Sequence, residues 1–274
     1  MTLADVAGGG PIWLLGCGNM AGAMLRGWIG AGLDPARVTV IRPSGKPVAE
    51  GVTVLTAPPI DGEMPAVLLL GVKPQKLDEA LPAVLPMLGE GTLIVSILGG
   101  VEIASLAKRM PRHRAIVRIM PNTPVAIGKG VMAMHADGDA DEGAKADASA
   151  LAAPLGLVEW IADEAQFDAV TALCGCGPAF LFRFIDAMAA AGAALGLPED
   201  QAARLALATI EGSALLAAQA GESPAMLADR VASPGGSTRA GLNVIDEDEA
   251  LVGLLRRVLA AAATRNAEMA AAAR

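Results

Sequence analysis

The stretch Ile12-Trp13-Leu14-Leu15-Gly16-Cys17-Gly18-Asn19-Met20-Ala21 decides the fold. Its first four residues are an apolar run of strand length that enters Gly16 directly. From residue 19 to residue 31 the pattern predicts a helix, with Gly32 past its end as a C-cap. The spacing Gly16-x-Gly18-x-x-Ala21 therefore falls at a strand-to-helix junction. At such a junction the first glycine allows the tight turn. The second lets a pyrophosphate approach the backbone, and a small third residue lets helix and sheet pack closely. Glycine-rich turns of this spacing are common, so the reading rests on placement, and the alternative is a plain tight turn.

Working outward, further apolar runs predict strands at 38–41, 52–55, 66–72, 92–98 and 115–119. Helices are expected at 75–88, interrupted by Pro82 and Pro86, and at 102–109. Residues 131–135, 141–151 and 157–161 read as a last strand-helix-strand unit. This alternation predicts a mostly parallel sheet covered on both faces. After Ala162 the β-branched runs stop, and 163–173, 178–195, 199–220, 224–231 and 240–245 read as helices, followed by one long or broken helix to the end. The expected fold class is α/β: a Rossmann-type dinucleotide-binding domain at 1–162, then an all-α dimerisation and substrate-binding domain at 163–274. Cys174-Gly175-Cys176-Gly177-Pro178 is expected to break two helices.

Composition narrows the classes. The formal net charge of -8 argues against a nucleic-acid partner. The most apolar helical stretch, 178–197, contains Arg183 and Asp186, which argues against a membrane span. Residues 1–10 lack a basic start and an apolar run, so no secretory signal is expected and a cytoplasmic location is. The 3 cysteines do not pattern as a disulfide framework or a zinc site, and no metal is expected.

A second turn near the C-terminus, Ser233-Pro234-Gly235-Gly236-Ser237-Thr238-Arg239, concentrates two glycines and three hydroxyls before a predicted helix. Backbone N–H groups in such a turn seat an anion. Two seats suggest a phosphorylated cofactor and a small acidic substrate. Where the second strand ends, an Asp or Glu would mark a free ribose 2′-OH. Arg42, Ser44 and Lys46 stand there instead, which favours a 2′-phosphate and hence NADPH, with a solvated surface turn as the alternative. Lys73-Pro74, 96–100 and Pro121 to Pro124 fall at C-terminal strand ends, where open parallel sheets place their ligand crevice. His113 and His135 read as structural or solvated, His113 as exposed.

What is missing constrains the chemistry. There is no tyrosine, and no His, Lys or Tyr follows Lys145. Carbonyl reduction commonly takes its proton from one of these groups. A cyclic imine is basic enough to be protonated before hydride arrives, so a hydroxyl that orients its nitrogen suffices. Ser237 and Thr238 offer hydroxyls beside the second seat, so the chain leans towards reduction of a carboxylate-bearing imine. Carboxylic acids remain an open alternative for the proton.

These segments resemble the pyrroline-5-carboxylate reductase family over nearly the whole chain. Val231-Ala-Ser-Pro-Gly-Gly-Ser-Thr238 looks like its signature loop, and Ala172-Leu-Cys-Gly-Cys-Gly-Pro-Ala179 like a second family segment. Leu15-Gly-Cys-Gly-Asn-Met20, Val72-Lys-Pro74 and Arg118-Ile-Met-Pro-Asn-Thr-Pro124 match in order and approximate spacing. The resemblance implies reduction of 1-pyrroline-5-carboxylate to proline with NAD(P)H, usually NADPH. It implies that Gly16, Gly18, Asn19 and Met20 hold the pyrophosphate, and Arg42 and Ser44 the 2′-phosphate. Val72, Lys73 and Pro74 would border ribose and nicotinamide, and Met120, Pro121, Asn122 and Thr123 would lie near the reacting centre. Ser233, Gly235, Gly236, Ser237 and Thr238 would hold the substrate carboxylate, with Thr238 bonded to the ring nitrogen. An interlocked helical homodimer, often assembled into a decamer, is also implied. The alternatives are another imine reductase or a β-hydroxyacid-type dehydrogenase on the same architecture, or a non-catalytic NADP-binding relative. The family usually carries serines at the positions of Cys174 and Cys176.

Overall fold

Four-residue apolar strands build the centre of the sheet. In the computed structural model, which describes residues 2–59, 62–138 and 140–273, β1 (Ile12–Leu15) lies between β2 (Val38–Ile41) and β4 (Val67–Leu70), parallel to both. The eight-stranded sheet has the order β3-β2-β1-β4-β5-β6-β7-β8, completed by β3 (Thr53–Leu55), β5 (Leu93–Ser96), β6 (Ala115–Pro121), β7 (Gly130–Ala136) and β8 (Gly156–Trp160). Among the described residues only the β6–β7 pairing is antiparallel. Every residue of β1, β4 and β5 is buried, as expected of parallel strands covered on both faces.

Side-chain alternation along these strands makes two apolar layers. Ile12 and Leu14 pack with Met24, Leu25 and Trp28 of α1 (Asn19–Gly30). Trp13 and Leu15 pack on the other face with Leu77 and Leu81 of α2 (Leu77–Val84) and Leu106 of α3 (Ile103–Arg109). The helix α4 (Glu142–Ala152) joins the first layer, and Trp28 Nε1 donates to the Leu151 carbonyl at 2.6 Å. The predicted helix at 75–88 is shorter in α-form, and Pro82 does not interrupt it but lies inside α2. Pro74 and Pro86 sit in 3-10 turns that flank α2, where a missing N–H costs little.

The expected break at Cys174–Pro178 is not a break. A 3-10 turn and α5 (Phe167–Val170) lead into a π-turn at Thr171–Gly175 and then α6 (Gly177–Ala194), so 164–194 is one helical run. Thr171 Oγ1 donates to the Phe167 carbonyl at 2.6 Å, a back-bond that competes with the α ladder. The Cys176 N–H then reaches the Thr171 carbonyl, five residues back, at 2.9 Å.

The chain divides into two compact units, Met1–Cys176 with Ala262–Arg274, and Gly177–Ala261. This boundary lies later than the change in composition at 162. Phe167 is 4% exposed and packs with Met120 and Ala133, so 163–176 belongs physically to the sheet unit. The second unit holds α6, α7 (Glu199–Gln219), α8 (Pro224–Arg230), α9 (Ser237–Asp246) and the start of α10 (Ala250–Ala273). The last residue of the expected terminal helix, Arg274, lies outside the described residues. The second unit keeps little core of its own. α6 buries no residue, α7 buries only Ala202 and Ala206, and Leu181, Phe182, Phe184, Leu207 and Leu216 are exposed. By length and composition 164–194 is apolar enough to cross a membrane.

Candidate nucleotide and carboxylate sites

The turn after β1 is set by crowding. Gly16 has φ +83°, and a Cβ there would stand 2.7 Å from Val72 Cγ1 and 2.9 Å from the Val72 nitrogen. The Gly16 N–H donates to the Ile41 carbonyl at 2.8 Å, and the Gly71 N–H to the Leu15 carbonyl at 2.9 Å, so the sheet ladder runs to the turn itself. A Cβ on Gly71 would meet the Gly16 carbonyl at 2.8 Å and Ala21 Cβ at 3.0 Å, and Ala21 is 1% exposed. Only small residues let α1 close on the sheet here.

Gly18 is the opposite case. It is exposed, and no heavy atom lies within 4 Å of where its Cβ would be. It caps α1 with no side-chain hydrogen bond, and the first turn of α1, beginning Asn19-Met20, carries no acidic residue. The N–H groups of a first helical turn have no partner in the helix and carry the positive end of its dipole. Space, free donors and a matching field together fit a pyrophosphate.

At the next strand end, Arg42, half-buried, donates its N–H to the Leu55 carbonyl at 2.9 Å. Gly45, at φ +60°, closes the turn onto the Arg42 carbonyl at 3.2 Å, and the Lys46 N–H meets Ser44 Oγ at 3.4 Å. Burial pushes the Cys17 thiol up, against the opposing pull of Arg42 and Arg26. Past β4, Val72 is half-buried, Lys73 is exposed, and Pro74 opens a 3-10 turn. A cleft of about 260 Å³ is lined by Pro74, Gln75, Gly99, Gly100, Arg118 and Thr171, at the C-terminal ends of β4 and β5.

The end of β6 turns inward. Met120 is 9% exposed and packs with Ala133 and Phe167, and Pro121 is buried. Asn122 is 7% exposed and both ends of its amide are used: Oδ1 accepts from the Val131 N–H at 2.8 Å, and Nδ2 donates to the Cys174 carbonyl at 3.1 Å. The Asn122 side chain therefore holds the π-turn, while Thr123 is exposed. Burial pushes the Cys174 thiol up as well, and it is the Cys174 backbone that bonds.

Sequence reasoning missed a neighbouring clamp. Arg118, 5% exposed, pairs with Glu164 Oε1 at 2.6 Å and stacks over Phe167 at 4.4 Å to the ring centre. The same Oε1 accepts from the Ile103 N–H at 2.8 Å, at the start of α3. The signal was a charged residue inside the apolar run Ala115-Ile-Val-Arg-Ile-Met. Both histidines are structural. His113 Nδ1 meets the Met110 carbonyl at 2.6 Å and is half-buried rather than exposed, and His135 Nδ1 meets the Ile161 carbonyl at 2.7 Å.

In the second unit, Gly235 takes φ +74° and Gly236 caps α9 without a side-chain bond. The Gly236 N–H closes onto the Ser233 carbonyl at 3.0 Å. A Cβ on Gly236 would stand 2.8 Å from Ser233 Oγ, so the hydroxyl occupies that space. Ser237 and Thr238 are exposed in the first turn of α9. Arg239 pairs with Asp229 of α8 at 2.6 Å and frames the loop between the helices. The turn presents N–H donors and hydroxyls on one short segment, the donor set that a carboxylate takes.

Both turns lie within stretches that match known families. Residues 11–100 match the family described as NADP oxidoreductase coenzyme F420-dependent, and residues 164–269 match pyrroline-5-carboxylate reductase dimerisation. A pyrroline-5-carboxylate reductase of Pseudomonas aeruginosa is 35% identical, covering 94% of this chain and 96% of that protein. The structure of a pyrroline-5-carboxylate reductase from Coxiella burnetii is 30% identical and covers 94% of this chain and 98% of that one, with a TM-score of 0.87. That of the Plasmodium falciparum pyrroline carboxylate reductase with NADP bound is 26% identical, covers 95% and 98%, and has a TM-score of 0.82. By sequence and by fold, this chain belongs to the pyrroline-5-carboxylate reductase family.

Proposed function

We propose that this chain reduces 1-pyrroline-5-carboxylate to L-proline, with NADPH as the preferred reductant and NADH as a second one. The observation that carries the reading is the turn at Ser233–Thr238: it offers anion donors and hydroxyls in a part of the chain that has no His, Lys or Tyr. Residues 1–162 bind the nucleotide, and 163–274 serve dimerisation and substrate binding.

Gly16, Gly18, Asn19 and Met20 receive the pyrophosphate, and Arg42 and Ser44 the 2′-phosphate. Val72, Lys73 and Pro74 border the ribose and nicotinamide. Met120, Pro121, Asn122 and Thr123 shape the floor near the reacting centre, Asn122 by holding the π-turn. The bound nicotinamide supplies the hydride. Ser233 and Gly235 shape the second turn, whose Gly236, Ser237 and Thr238 hold the substrate carboxylate. Thr238 Oγ1 orients the ring nitrogen, which has taken its proton from water. Carbon gains the hydride and the nitrogen keeps the proton, so no strong general acid is needed. This is what the residue inventory permits.

The exposed apolar faces of α6 and α7 support a homodimer, since a helical unit that buries so little of its own surface completes its core with a second copy. The dimerisation description matched over 164–269 supports this, and a decamer of such dimers is the larger assembly we propose. Cys17, Cys174 and Cys176 are all free thiols, which suits a reducing cytoplasm.

The test follows the loss of reduced-nicotinamide absorbance with pyrroline-5-carboxylate, running NADH and a carboxylate-free pyrroline beside it. Fast oxidation that depends on the carboxylate is expected. Equal rates with the carboxylate-free ring would remove the role given to the second turn. No oxidation in protein that binds NADPH would end the reading.

A further inference from the structure

The nucleotide end of the first site contains a residue that sequence spacing did not single out. Arg26 lies one helical turn beyond Gly22 on α1. Long helical side chains lean back towards the N-terminus, and this one does. Its Nη1 stands 3.4 Å from where a Cβ on Gly22 would be, and Cys17 Sγ stands 3.7 Å from the same point. The guanidinium thus lies over Gly22 beside the second residue of the Gly16–Gly18 turn.

Arg42 directly follows the last residue of β2, Ile41, whose carbonyl accepts the Gly16 N–H at 2.8 Å, so its backbone adjoins the same turn; both guanidinium groups oppose the upward push that burial gives the Cys17 thiol. Neither Arg26 nor Arg42 enters an ion pair among the described residues. Arg37, the arginine between them in sequence, is spent differently: it is bonded to the carbonyls of Leu3, Ala4, Val6 and Gly10. Two uncompensated cations held near one turn repel each other, and a dianion relieves that repulsion.

We infer that Arg26 and Arg42 form a two-sided clamp for the 2′-phosphate of the dinucleotide, Arg26 from α1 and Arg42 from β2, and that Arg26 is a second determinant of NADPH over NADH. This rests on the reading that Arg42 and Ser44 face the ribose. The recognised group is a phosphate monoester on adenosine, so the clamp distinguishes 2′,5′-ADP from 5′-AMP without any chemistry at the nicotinamide.

The experiment titrates the full chain with 2′,5′-ADP and with 5′-AMP by calorimetry, comparing the parent with Arg26→Gln, Arg26→Lys and Arg42→Gln. Arg26→Gln is expected to weaken 2′,5′-ADP about tenfold and leave 5′-AMP unchanged, as for loss of one charge-assisted contact. Arg26→Lys, which keeps charge but loses the planar fork, should fall between. In turnover, the KM for NADPH should rise by a similar factor with kcat and all NADH parameters unchanged. Equal affinity of Arg26→Gln and parent for 2′,5′-ADP would overturn the clamp, as would equal losses for both nucleotides. If the parent fails to turn over pyrroline-5-carboxylate, the activity reading falls, and the nucleotide titration still decides the clamp.

Discussion

The two glycine turns have the same plan and opposite crowding. Each places a glycine at positive φ, Gly16 at +83° and Gly235 at +74°, and a second glycine as an uncapped helix start, Gly18 or Gly236. In the first turn the positive-φ glycine is hemmed in by Val72 and the cap is open. In the second the positive-φ glycine is open and the cap is crowded by Ser233 Oγ. The first turn is thus braced by the sheet and gives space to its ligand, which suits a large pyrophosphate read by backbone alone. The second is shaped by the Ser233 hydroxyl and leaves those of Ser237 and Thr238 exposed, which suits the small carboxylate and ring nitrogen proposed for it.

The contrast breaks most sharply at Gly16. Gly16→Ala adds a methyl 2.7 Å from Val72 Cγ1 in a left-handed conformation. Both strain and overpacking oppose it, so a loss of about 3 kcal/mol in urea unfolding is expected, with NADPH binding abolished. Retention of parent stability would show that the turn is not held by the sheet.

Thr238→Ala tests the other side. It removes one exposed hydroxyl, so stability should be unchanged while turnover falls about 10²-fold, equivalent to about 2.7 kcal/mol of barrier. NADPH titration should match the parent. Parent-like turnover would take the nitrogen-orienting role away from Thr238.

Much of this contrast was legible in the sequence. Strands showed because the central ones are short, mostly apolar runs, and the Gly16 turn showed because it follows such a run. The π-turn did not. Its two causes are the Thr171 back-bond and an amide donor at Asn122, which is 52 residues away in sequence from Cys174. A Cys-Gly-Cys-Gly-Pro string looks like a helix break when the distant partner is invisible. Arg26 was hidden differently: it sits four residues after Gly22 on the helix that the motif opens, so helical periodicity joins them. The motif pattern stops at Ala21 and gives no reason to look further.

The hidden long-range bond is itself testable. Asn122→Ala would leave the Val131 N–H and the Cys174 carbonyl without their partner in a buried place, costing about 2 kcal/mol in unfolding. Asn122→Asp keeps the acceptor for Val131 but sets a buried carboxylate against the Cys174 carbonyl, so it should cost at least as much. A loss for Asn122→Asp clearly smaller than for Asn122→Ala would mean that the π-turn does not depend on the amide donor.

The smallest effect expected returns to the opening comparison. Gly235 has the same left-handed backbone as Gly16, yet no heavy atom lies within 4 Å of its Cβ position. Gly235→Ala therefore meets backbone strain alone, about 1 kcal/mol, without overpacking. Set beside Gly16→Ala in the same urea series, the difference of about 2 kcal/mol measures what the sheet contributes to the first turn. A Gly235→Ala loss as large as that of Gly16→Ala would show that the second turn is crowded in solution. A second copy of the chain packed against it is then the source, and the loss would shrink on dilution below the dimer's dissociation constant.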